Sequence, residues 1–354
     1  MKLQGRGLII VTIKDIARKA QVSIGTVDRV LHKRGRVKPE TEKKVLRVIE
    51  EEGYRTNIFA KNLKLKKIFN FAVLIPHPEQ DSYYWTLPIR GIERARNELA
   101  SHRVQVKFFF FDRFQEKSVL QAGKKILKEN FDGLLAAPVL PRSFGQVLRS
   151  LPSDLPFVFF DSYVPGIKPL SFIGQDAFQS GLLSSCLMRQ TIHQTAGKIA
   201  VVKVLPEDYH IAERINGFLH GVCDFSGFES VVVEINGQAT SLEIRQKLEA
   251  FYQRNRDLAG IFVTNAMTHK VAEWWKAKRS KQRLILLGYD PIPANIKLLK
   301  DRTINFLISQ QSERQGYEGI YALFRHVVLG EKIREKIMTQ IDIIMAENID
   351  YYQS

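Results

Sequence analysis

The polar residues that could do chemistry stand where apolar runs stop. "FFDS" closes on Asp161 and Ser162, "FVTN" on Asn265, "LLGYD" on Asp290 and "LISQ" on Gln310. Short apolar runs bounded by turn-forming residues read as buried strands. Ligands of open parallel sheets bind beyond the carboxyl ends of strands, so these residues are candidates for one site. A carboxylate such as Asp290 accepts from two neighbouring hydroxyls, a pairing suited to polyols. After the run "FNFAVLIP" comes "HPEQDSYYWTLPIRGIERA", with Tyr84 and Trp85 ahead of a helical stretch containing Gly91. Flat aromatic faces suit the apolar C–H face of a sugar, while polar groups reach its rim. The plainer alternative is that one of the two rings packs in the core. "IGQDAFQSG" adds Asp176, either a further contact or the cap of its helix.

Other chemistry finds little support. There is no GxxxxGK(S/T) phosphate loop, no GxGxxG after a strand and no GxSxG elbow. The eight histidines lack HxH or HExxH spacing, so no metal or other cofactor is expected. Strand-end carboxylates could flank a glycosidic bond, but hydroxyl acceptance explains them more simply, and an enzyme is not expected. Cys186 and Cys223 form no metal-like or disulfide-like spacing, which makes a reducing compartment the default. No apolar stretch approaches the roughly 20 residues of a membrane helix. The apolar run at residues 8–13 is shorter than a secretory core and lacks a cleavage site, so a cytoplasmic protein is expected.

The elements that must position these residues follow an alternating grammar. The β-rich runs are "FNFAVLIP", "VQVKFFFFD", "FDGLLAAPV", "LPFVFFDS", "SFIGQD", "GKIAVVKVL", "ESVVVEIN", "LAGIFVTN", "RLILLGYD" and "INFLISQ". Amphipathic stretches of helical length lie between them, for example 86–101, 115–130, 176–194, 208–225, 240–255 and 311–329. This is the pattern of parallel sheets covered on both faces, and two groups of five strands suggest two lobes of one topology.

The first 67 residues are different. They hold 18 Lys and Arg against 7 Asp and Glu, a net of +11 within the whole chain's +16. A basic terminal block on a near-neutral body points to a polyanion partner. "TIKDIARKA" puts Ile13, Ile16, Ala17 and Ala20 on one helical face. "QVS" turns, with Ser23 as N-cap, into "IGTVDRVLHK", which buries Val27, Val30 and Leu31 and turns Gly25, Thr26, Asp28, Arg29 and His32 outward. "RGRVKPE" breaks that helix and "PETEKKVLRVIEEEGY" supplies a third, with Thr41 near its start. Two short helices, a tight turn and a bracing helix form a helix-turn-helix module, whose second helix enters the major groove.

The run "VTIKDIARKAQVSIGTVDRVLHKRGRVKPETEKKVLRVIEEEGYRTNIFAKNLK" resembles the headpiece of the LacI/GalR transcription regulators, and the resemblance extends over residues 11–354. It implies a helix-turn-helix domain at 11–55, a hinge at 56–67 and, at 68–354, a bilobed effector-binding and dimerisation domain of the periplasmic-sugar-binding type. The implied fold class is α/β: a small all-α headpiece, then two doubly wound parallel-sheet lobes. DNA contacts are implied at Thr12, Ser23, Ile24, Gly25, Thr26, Asp28, Arg29, Arg36 and Thr41. In the "NxxAxxLK" hinge, Leu63 would wedge into the minor groove beside Asn57 and Ala60. Ile24 and Gly25 offer contact with a thymine methyl rather than bidentate hydrogen bonds. For the effector, the resemblance implies a sandwich by Tyr84 and Trp85 and contacts from Arg214, whose guanidinium donates to two hydroxyls at once. It implies further contacts from Asp161, Ser162, Asp176, Asn265, Asp290 and Gln310, the last six residues before Gly316. "QIDIIMAENIDYY" looks like the family's terminal strand segment.

The chain departs from the family in three places. Thr56 replaces the usual proline before the hinge Asn, and Asn265-Ala266 replaces the usual "ND". "TVDRV" replaces "TVSRV", so Asp28 stands where a serine usually donates to a phosphate. Three readings of Asp28 remain: an acceptor at a cytosine or adenine edge, a local partner of the helix dipole and of His32, or the mark of a weakened headpiece. The expected function is a repressor-type regulator, a homodimer on a two-fold operator in double-stranded DNA, controlled by a sugar or polyol and not membrane-bound. The alternative is a solute-binding protein for a sugar, which would carry no basic headpiece.

Overall fold

A computed structural model describes residues 13–31, 35, 37–52, 67–205 and 208–352. The chain divides into two compact units, residues 1–66 and 67–354. In the first unit, helices α1 (Ile13–Lys19), α2 (Ile24–Leu31) and α3 (Pro39–Glu51) enclose a core of Ile16, Ala17, Ala20, Val27, Val30 and Val45. The helical spacing of these residues in sequence is therefore what builds the core. The Ser23 hydroxyl accepts from the Thr26 N–H at 3.1 Å, satisfying a first-turn donor of α2. Pro39 opens α3, where its missing N–H removes no helical bond.

The second unit holds two six-stranded sheets. Its strands are β1 (Phe69–Pro76), β2 (Val104–Phe111), β3 (Gly133–Ala136), β4 (Phe157–Phe160), β5 (Ser171–Gly174), β6 (Gly197–Leu205), β7 (Phe228–Asn236), β8 (Leu258–Val263), β9 (Ile285–Tyr289), β10 (Phe306–Ser309), β11 (Lys336–Met338) and β12 (Asp342–Ile344). The first sheet runs β11-β5-β4-β3-β1-β2 and the second β12-β10-β9-β8-β6-β7, the same order twice. Every ladder is parallel except β10 with β12. β3 and β8 are buried at every position, as continuous apolar runs covered on both faces should be. All ten runs read from the sequence are strands. The expectation of five per lobe is short by one: each sheet gains a three-residue sixth strand, β11 or β12. β12 falls within the terminal segment singled out above. β11 lies in the basic "KIREKIM", too short and polar to read as a buried run.

The chain crosses between the lobes three times. Helix α4 (Thr86–Leu99) lies in the first lobe and α8 (Tyr209–Val222) in the second. Helix α7 (Ala177–Thr191) follows β5 but packs on α8. Helix α12, as we number Ser312–Val327, follows β10 yet packs on α4 and on β3, β4 and β5. Both helix pairs touch backbone to backbone: a Cβ on Gly91 would lie 1.8 Å from the Glu313 carbonyl oxygen, and one on Gly181 2.0 Å from that of Arg214. Gln175, in the first crossover, donates to the carbonyls of Ser309 (2.9 Å) and Gln340 (3.0 Å) in the other two.

Candidate functional site

The two sheets present matching strand ends to one cleft. Asp161 directly follows β4 and Asp290 directly follows β9, equivalent positions, and both aspartates have φ 65°. That conformation is costly for a non-glycine residue and persists only when its surroundings over-determine it. Here the Asp161 N–H donates to the Ile173 carbonyl (3.0 Å) and the Asp290 N–H to that of Ile308 (2.9 Å). Asn295 also donates to the carbonyls of Tyr289 and Asp290.

Around these carboxylates the side chains interlock. The Tyr84 hydroxyl donates to Asp161 Oδ1 and accepts from Ser312 Oγ at 3.0 Å. Trp85 Nε1 donates to Asp81 Oδ2 (2.7 Å), which also accepts from Arg113 Nη1 (2.6 Å). Arg113 Nη2 lies 3.5 Å from Asp208 Oδ2, at the N-cap of α8. His210 Nδ1 lies 2.9 Å from Asp208 Oδ1 and 3.8 Å from Asp161 Oδ2. Arg214 donates through Nη1 to the Thr264 carbonyl (3.0 Å) and through Nη2 to Gln310 Oε1 (2.6 Å), with its guanidinium carbon 3.9 Å from the Tyr289 ring centroid. Gln310 Nε2 in turn donates to Asp290 Oδ1 at 3.1 Å.

Burial sets the electrostatics. Desolvation pushes the Asp290 carboxyl up to about 7, reinforced by Asp161 and opposed by Arg214 and Gln310. Burial also raises the Tyr84 hydroxyl, with Asp161 and Asp290 adding to the rise. Burial would raise Asp208 too, but His210 and Arg113 hold it below the ordinary aspartate value. The empty space is small, about 280 Å³ including its mouth, and only about 20 Å³ of it can seat the centre of a water molecule. A monosaccharide therefore requires the lobes to part.

Seven residues singled out in the sequence line this cleft together: Tyr84, Trp85, Asp161, Arg214, Asn265, Asp290 and Gln310. Asn265 is partly turned inward on its own chain, its Oδ1 accepting from the Met267 N–H. Ser162 is fully buried and is not part of the lining. Asp176 is exposed and caps α7, accepting from the Gln179 N–H at 2.9 Å. Asp81, Arg113 and His210 also line the cleft and were not anticipated. The signals were present: Arg113 follows the end of β2, and His210 stands one helical turn before Arg214. In the first unit, Ile24, Gly25 and Arg29 are exposed on α2, Thr26 and Asp28 are half-buried, and Thr41 lies in the first turn of α3. Thr12, Arg36, Asn57, Ala60 and Leu63 lie outside the described residues. Among the described residues no cluster of His, Cys, Asp or Glu could hold a metal, and no helix is long and apolar enough to cross a membrane.

Two family matches divide the chain as the fold does. Residues 12–57 match the bacterial regulatory proteins of the lacI family, and residues 71–332 match the periplasmic binding protein domain. The chain belongs to the periplasmic binding protein domain family, and its residues 12–57 form a lacI-family segment. Similar proteins include catabolite control protein A of Priestia megaterium, 46% identical over 83 residues, 23% of this chain and 24% of that protein. The HTH-type transcriptional regulator RegA of Clostridium acetobutylicum is 35% identical over 142 residues, 40% of each chain. The match thus spans only 24–40% of the length of these relatives. Among solved structures, a protein from Bacteroides fragilis described as a LacI transcriptional regulator superposes with a TM-score of 0.74 at 24% identity, covering 81% of this chain and 100% of that one. An ABC transporter solute binding protein from Burkholderia graminis, in complex with D-arabinose, gives 0.73 at 19% identity, covering 81% and 99%. At these identities the likeness shows the fold.

Proposed function

We propose that this protein is a non-catalytic cytoplasmic transcription regulator, a homodimer whose affinity for a two-fold operator is set by a sugar or polyol bound between its lobes. The observation that carries this is the cleft itself: buried hydroxyl acceptors and donors from both lobes, beside Tyr84 and Trp85, on a chain that also carries a basic helix-turn-helix. The D-arabinose bound to a solute-binding protein of the same fold supports a sugar. An effector that bridges Asp161 of one lobe and Asp290 of the other would bind open and closed lobes unequally, and that difference is what shifts an equilibrium. DNA and effector affinities then change reciprocally. In the headpiece, α2 would enter the major groove, presenting Ser23, Ile24, Gly25, Thr26, Asp28 and Arg29, with Thr12, Arg36 and Thr41 on the backbone. Asn57, Ala60 and Leu63 would bind the minor groove. Absence of the headpiece's DNA binding would leave the solute-binding alternative.

Thermal unfolding of the purified protein against sugars, polyols, sugar acids and sugar phosphates tests the sensor. A ligand at about 100 times its Kd adds roughly 2.7 kcal/mol. A shift with one compound, lost in Asp290→Ala and Arg214→Ala, is expected; silence across the set overturns the reading. Selection from random DNA tests the headpiece. Asp28→Ser should change the preferred half-site, whereas a uniform gain in affinity would make Asp28 an electrostatic handicap only.

A further inference from the structure

The charge of the cleft separates ligand classes that its hydrogen bonds do not. Asp81, Asp161 and Asp290 line it, with Asp208 directly behind, against the guanidiniums of Arg113 and Arg214. Four carboxylates against two guanidiniums leave a formal charge of −2 with His210 neutral and −1 with it protonated. The cations are also engaged. Arg113 is held by Asp81 and Asp208, and the terminal nitrogens of Arg214 by Thr264 and Gln310. Arg214 keeps only Nε without a hydrogen-bond partner, a donor suited to a hydroxyl oxygen. The carboxylates are less well served. Asp161 is 4% exposed and its Oδ2 accepts no hydrogen bond. Among the described residues Asp290 makes no ion pair and reaches Arg214 only through Gln310.

Resting on the sensor reading above, we propose that the effector carries a protonated amine beside its hydroxyls, an amino sugar or amino polyol, with the ammonium seated between Asp161 of one lobe and Asp290 of the other. Two buried carboxylates from opposite lobes repel each other when both are ionised. An ammonium removes that repulsion and supplies donors to both carboxylates in a setting of low dielectric, where the attraction is strongest. An anionic sugar acid or phosphate would meet excess negative charge and no spare guanidinium. The raised Asp290 carboxyl fits this account: without ligand a proton takes the place that the ammonium fills. The groups facing that proton are Arg214, Gln310, Asp161, His210 and Tyr84.

The test compares matched compounds on the full-length protein at pH 7 by thermal unfolding and calorimetry. The sets are glucosamine, glucose and gluconate; galactosamine, galactose and galactonate; mannosamine, mannose and mannonate; and glucamine with sorbitol. One amine should bind about tenfold more tightly than its hydroxyl counterpart, the size of one charge-assisted hydrogen bond, and the acid should not bind. Asp161→Asn should weaken the amine more than its hydroxyl counterpart, so that the tenfold preference within a set falls toward one. The comparison within each set uses the unaltered protein, so it stands even if the variant does not fold. A neutral sugar or acid binding as tightly as its amine overturns the inference and leaves the sensor reading intact. Silence from every compound overturns both.

Discussion

Asp290 shows what burial does to a single group. Its carboxyl titrates near 7 in the folded protein and near 3.9 in an unfolded chain. Between those values the native state holds more protons than the unfolded one, so the free energy of unfolding falls as pH rises from about 4 to 7. Denaturant titrations across that range should show the decline for the ligand-free protein, and Asp290→Asn should flatten it. Asp208 acts in the opposite sense: its lowered value contributes stability that is lost on acidification. Tyr84→Phe removes the donor to Asp161 Oδ1 when Oδ2 already has none, and should cost about 1–3 kcal/mol of stability, measured the same way. Much of this site was legible because strand ends announce it. Asp161, Asp290 and Gln310 stand where apolar runs stop. Asp81 was not legible, because its role lies in its pairing with Arg113, 32 residues away in sequence.

At the scale of elements, propensity and period carried most of the assignment. The inner strands are largely apolar because a sheet covered on both faces needs no polar side, while the edge strands β2 and β7 keep exposed positions. The headpiece core follows from Ile16, Ala17, Ala20, Val27 and Val30 recurring at helical spacing. What period does not reveal is which layer an element joins: nothing in "SERQGYEGIYALFRHV" says that α12 returns to the first lobe. Its partners do, through the contact at Gly91. Gly181→Ala, at the equivalent contact in the second lobe, drives a methyl into the Arg214 carbonyl and should cost about 3 kcal/mol in chemical unfolding. Ser23→Ala removes the α2 cap and should cost about 1 kcal/mol in the headpiece, seen as earlier exchange of the α2 amides.

Across the whole molecule, the two lobes are joined by three crossovers. Gln175 ties the first crossover to the other two, while Gln310 belongs to both the cleft and the second crossover: its side chain joins Arg214 to Asp290 and its carbonyl accepts from Thr339. Gln175→Ala should leave effector affinity within a few-fold but reduce the effect of effector on operator affinity by about 1 kcal/mol. Operator binding measured with and without saturating effector checks this; an unchanged ratio would make Gln175 a packing residue only.

The same connectivity governs how the protein is made. The first lobe needs α12 and β11, which lie after residue 310, so it is not a contiguous stretch of chain. During synthesis, which proceeds at about 5–20 residues per second from the amino terminus, the basic headpiece leaves the ribosome while the first sheet still lacks its sixth strand and a covering helix. A ribosome stalled before α12 would therefore display the headpiece ahead of an unfinished first lobe.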